Sequence, residues 1–139
     1  MSLLGAKSRL RIHAYIGILS VLLLTAKALL SVASELGFGE ALPLSIGRLG
    51  AIFGVLAFLS GGGLGKFLSD QRSRTAELHM ILMLAGLTLQ VPSLAEELPH
   101  PLAVFASWIG LASMGIGWIY GRKIFDRTKI RFPWESGEQ

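Results

Sequence analysis

Four long apolar runs alternate with short polar stretches along the chain, at about 12–34, 49–65, 78–95 and 101–121. A helix needs roughly 20 apolar residues to cross a bilayer core about 30 Å thick, so each run is the length of one span. None alternates apolar and polar positions with period two, which excludes the lipid-facing strands of a barrel. The pattern predicts an all-α fold, an integral membrane four-helix bundle that forms a single transmembrane domain over 1–139 and ends in a basic tail, 122–139.

Composition agrees with that pattern. The 139 residues are 52% hydrophobic and 16% charged, with a mean hydropathy of +0.58, whereas soluble domains carry roughly a quarter charged residues. A soluble globule and a disordered polar chain are both excluded. There is no cysteine, which removes disulfides, thiolate zinc, iron–sulfur clusters and thiol catalysis together. Lys7, Arg9 and Arg11 ahead of the first run resemble the start of a secretory leader. The run exceeds a leader's apolar region and contains Lys27, so it is expected to stay as a helix.

The net charge of +4 would raise the question of nucleic acid in a soluble protein. Here the positions of the charges point to a lipid bilayer as the partner. Lys7, Arg9 and Arg11 precede the first run; Lys66, Arg72 and Arg74 lie between the second and third; Arg122, Lys123, Arg127, Lys129 and Arg131 follow the fourth. These are eleven of the thirteen basic residues. The two other connections carry Arg48 beside Glu35, Glu40, Glu96 and Glu97. The positive-inside rule then predicts both termini in the cytoplasm, in a bacterial inner (plasma) membrane. Tyr15, Trp118 and Tyr120 fall at the inner ends of the first and fourth runs, where amphipathic rings prefer the headgroups. The tail residues Phe132, Pro133 and Trp134 are expected along the inner lipid surface.

Small residues recur at helical spacing. Gly50 and Gly54 in the second run, and Ser113, Gly117 and Gly121 in the fourth, make flat faces. Close backbone approach drives association in lipid, so these faces are expected to be helix contacts, within the bundle or with a second copy in a homo-oligomer or larger membrane complex. Ser60 to Lys66 has the glycines of a phosphate-binding loop, but Ser60 stands where the first glycine belongs, Phe67 follows Lys66, and no strand precedes it. The two halves of the chain share an outline, yet their residue identities do not align, so ordinary hairpins are expected rather than a duplication.

Few side chains can carry chemistry. His13 opens the first run and His79 the third, so the topology sets both at the cytoplasmic boundary. Two imidazoles at one depth on different helices have the makings of an axial pair for haem b. Arg11, Arg72 and Arg74 lie nearby as propionate partners. Lys27 is a charge inside a span, which costs about 2.5–3.5 kcal/mol on insertion scales. It is expected to snorkel outward to Glu35, Glu40, Glu96 or Glu97. Glu96, Glu97 and His100 are too closely spaced in one connection for a metal site. No hydrolytic motif is present, so the sequence leans away from an enzyme. Two readings follow. One is a helix-packing module or accessory subunit of a membrane complex; the other is a b-type haem protein handling electrons, or a lipophilic quinone-like substrate, near the cytoplasmic leaflet.

Overall fold

The computed structural model describes residues 3–34, 41–65 and 74–127, with the side-chain surroundings of 8–33, 41–61 and 74–124. Every element within them is helical: α1 (Leu3–Ser34), α2 (Ala41–Gly65), α3 (Arg74–Thr88), α4 (Val91–Leu94) and α5 (His100–Arg127). By length and composition, Ser8–Ala33, Ala41–Gly61, Arg74–Leu94 and His100–Ile124 can each cross a membrane. Arg72, Glu35, Glu40, Lys66 and the tail beyond Arg127 lie outside the described residues.

The observed boundaries differ from the apolar runs where backbone chemistry outweighs hydropathy. Helix α2 starts at Ala41 rather than 49, because Pro43 falls in its first turn, where a missing N–H leaves no bond unmade. Arg48 is therefore helical. The run 78–95 is not one helix. It stops at Thr88 and resumes at Val91, because Pro92 has no N–H to offer the Thr88 carbonyl. The short α4 ends with Glu97 N–H donating to the Pro92 carbonyl at 3.0 Å and Glu96 left-handed at φ 58°, the arrangement that closes a Schellman cap. Helix α5 runs past 121 to Arg127, so the first residues of the basic tail are helical.

Helix α1 lies along α2 and α3 along α5, and the two hairpins meet through α1 against α5 and α2 against α3. Going round the bundle the order is α1, α2, α3, α5, which sets α1 and α3 across the diagonal. Small and polar residues are prominent in the interior: Ala14, Ala28, Ala57, Ser20, Ser107 and Gln90 are buried, beside a few larger side chains such as Leu24 and Met114. Large apolar side chains such as Leu22, Ile52, Leu59, Phe105 and Ile119 face outward. That inversion suits a lipid surround, where apolar burial brings helices together only weakly and close approach of small residues does the work.

Candidate functional site

Two polar centres occupy opposite ends of the bundle interior. At the end where α1 and α3 begin, the His13 and His79 rings stand 6.3 Å apart between centroids, with planes at 83°. His13 Nδ1 is 2.8 Å from the Ala57 carbonyl and 3.1 Å from Ser60 Oγ. His79 Nδ1 is 2.8 Å from the Gly117 carbonyl. A carbonyl only accepts, so each Nδ1 carries a proton, and in the neutral ring Nε2 holds the lone pair. Both rings rest on glycine. A Cβ at Gly61 would fall 2.7 Å from His13 Cε1, and one at Gly121 would fall 2.9 Å from His79 Cε1.

At the other end Lys27 is 4% exposed. It does not snorkel. Its Nζ donates to Ser93 Oγ at 2.7 Å and to Ser107 Oγ at 2.6 Å. Each serine passes its own hydrogen to a backbone carbonyl, Ser93 to Gln90 and Ser107 to Ala103, both at 2.8 Å. Gln90 is fully buried. Its Nε2 donates to the Ser107 carbonyl at 3.0 Å, and its Oε1 has no partner. The acidic partner foreseen for Lys27 in Glu96 is instead paired with Arg48, at 3.4 Å on the surface.

The two hairpins repeat one another contact by contact. Adding 66 to a position in α1 gives its counterpart in α3 or α4 (13 to 79, 27 to 93), and adding 60 to one in α2 gives its counterpart in α5 (57 to 117, 61 to 121). His13 bonds Ala57 and rests on Gly61 as His79 bonds Gly117 and rests on Gly121. Leu23 and Leu24 lie against Gly50 as Leu89 and Gln90 lie against Gly110. Ser20 meets Gly54 as Gly86 meets Met114, with the bulk moved to the other helix. Lys27 lies on Gly47 as Ser93 reaches Ser107. The two hairpins thus share their internal packing at these positions, a relationship that the sparse residue identities conceal.

The residues singled out from sequence fall as follows. His13 and His79 are brought together. Arg11 and Arg74 are exposed, on the helix ends nearest the histidines. Gly50, Gly54, Gly117 and Gly121 all meet side chains of neighbouring helices in the same chain, and Ser113 Oγ donates to the Leu82 carbonyl at 2.9 Å. Sequence reasoning missed Ser93, Ser107 and Gln90, and also the α3–α5 crossing, where a Cβ at Gly86 would fall 2.6 Å from the Gly110 carbonyl. No sequence signal points to them, because the positions related by the offsets of 66 and 60 hold unlike residues: Leu24 and Gln90, Lys27 and Ser93, Gly47 and Ser107.

No protein-family model, curated protein or solved structure matches the chain.

Proposed function

We propose that this chain is an integral membrane protein of a bacterial inner membrane, with both termini cytoplasmic, that holds a b-type haem between His13 and His79. The observation that carries the reading is the repeated seat of the two imidazoles. Metal-binding histidines commonly donate their second ring nitrogen to a carbonyl or carboxylate, which fixes the tautomer and aims the other nitrogen at the metal. His13 and His79 both do this through Nδ1.

The donor set fits the group. The two rings that would hold it stand 6.3 Å apart between centroids, on different helices, each fixed through Nδ1 to a backbone carbonyl. When bound, the haem supplies a one-electron couple. The chain's own residues hold the ligand nitrogens in place, and Arg11 and Arg74 offer guanidinium groups to the propionates. The basic segments around those arginines support the cytoplasmic orientation, and electrons or a quinone-like lipophilic substrate would be handled at that leaflet.

The alternative, a packing module or accessory subunit, drew on the flat glycine faces. Those glycines are engaged inside the chain, which leaves the haem reading with the stronger support. Purification from membranes of haem-replete cells tests it: a Soret band is expected, and a colourless protein that takes up no added haemin would refute it.

A further inference from the structure

The two hairpins differ in polarity at one level of the bundle. Leu24 becomes Gln90, Lys27 becomes Ser93 and Gly47 becomes Ser107 from one hairpin to the other. The result is one ammonium, two hydroxyls and one amide gathered in the interior, at the end away from the histidines. Among the described residues, no carboxylate stands within ion-pair reach of Lys27.

A cation withdrawn from water is strongly disfavoured unless an opposite charge and well-placed hydrogen bonds compensate it. Here the described partners of Lys27 Nζ are two neutral hydroxyls. Beside them is an acceptor left over: Gln90 Oε1, in a side chain with no exposure, has no partner. Exchanging the amide's oxygen and nitrogen would not help, because Nε2 already donates to the Ser107 carbonyl and an oxygen there would face another acceptor. A buried unmet acceptor is destabilising. The cluster therefore lacks two things at once, a negative charge for Lys27 and a hydrogen-bond donor for Gln90.

The backbone beside this cluster is irregular. The helix is interrupted between Thr88 and Val91, and broken helices at membrane depth occur where the chain lines a cavity or is buried in protein.

From these observations we infer that Lys27, Gln90, Ser93 and Ser107 form a binding site for a small, singly protonated oxyanion, of which hydrogen carbonate is the simplest member. Its charge answers Lys27 and its O–H answers Gln90 Oε1. Chloride supplies the first and not the second, so it binds more weakly. The inference does not rest on the haem reading, because the site shares no residue with the histidine pair.

The test is thermal unfolding of the purified full-length protein, followed by tryptophan fluorescence, with sodium hydrogen carbonate or sodium chloride titrated at equal pH and ionic strength. A saturable rise in Tm of several degrees is expected with hydrogen carbonate, and a smaller one with chloride. Gln90→Leu should bring the hydrogen carbonate response down to that of chloride. Lys27→Met should abolish both. Ser93→Asp keeps the question answerable if Lys27→Met fails to fold, since a carboxylate at that position supplies the counter-charge from within. It should raise Tm without added anion and remove the response to either salt. The inference is overturned if the unmodified protein shows no saturable rise, or if Ser93→Asp responds as the unmodified protein does.

Discussion

Lys27 Nζ lies 2.6 Å from Ser107 Oγ, a contact that ties α1 to α5 across 80 residues of chain. A charge inside an apolar span is set here against another helix's hydroxyl rather than drawn out to water. This has a measurable consequence for stability. Removing one acceptor from a buried charged donor costs about 1–3 kcal/mol or more, so Ser107→Ala should lower stability by that order. In a Lys27→Met background the same change should cost much less, because no ammonium remains to be satisfied. A double-mutant cycle on detergent-solubilised protein reads the coupling, and additive effects would mean that the contact contributes little.

Glycine positions divide by what a side chain would meet. At Gly86 an added Cβ meets the Gly110 carbonyl at 2.6 Å, and at Gly110 it meets the Gly86 carbonyl at 2.7 Å; around Gly115 nothing lies within 4 Å. Backbone cannot rotate away, so Gly86→Ala and Gly110→Ala should each destabilise the bundle by about 1–3 kcal/mol as an overpacked contact does. Gly115→Ala should be neutral or stabilise by up to about 1 kcal/mol through helix propensity. Thermal unfolding of the three variants decides the ranking. Gly115→Ala as the most damaging of the three would contradict the α3–α5 contact.

Gly61 and Gly121 offer a way to disturb the histidines without replacing them. Each glycine supports one ring, with Cβ positions 2.7 and 2.9 Å from the two Cε1 atoms. Gly121→Val should therefore push His79 off the Gly117 carbonyl, and Gly61→Val should push His13 off Ala57. Haem content per mole of protein should fall several-fold in both, while Gly115→Val, at an exposed position, retains it.

Orientation is open to a separate check. If both termini are cytoplasmic, a reporter active only outside the cytoplasm and fused after Gln139 should give no signal, while one active only in the cytoplasm should work. The opposite result would reverse the bundle and move the histidine pair to the outer leaflet.

Much of the architecture is legible in the sequence, because length and hydropathy alone determine whether a segment can span. The four runs and the common depth of His13 and His79 follow from that and from the sorting of charge. The break at Thr88 was legible too, through Pro92, but hydropathy averages over such a residue. Lys27 shows the limit of reasoning from single residues. Its length and the acidic connections favoured snorkelling, and only the fold reveals that Ser93 and Ser107, 66 and 80 positions away, reach it first. The packing shared by the two hairpins stayed hidden for a related reason: contacts such as Ser20 on Gly54 and Met114 on Gly86 conserve the volume of a pair, not the identity of either member.

The central claim is that His13 and His79 together hold one haem, and the most direct measurement is the absorption spectrum of four proteins prepared in parallel from haem-replete membranes. The unmodified protein should show a Soret band and the sharpened α-band of a six-coordinate reduced haem. His13→Ala and His79→Ala should each lose or shift those bands. His100→Ala, with its change at the opposite end of the bundle, should leave them as they are. Absence of the bands in the unmodified protein, or their loss in His100→Ala alone, would contradict the account.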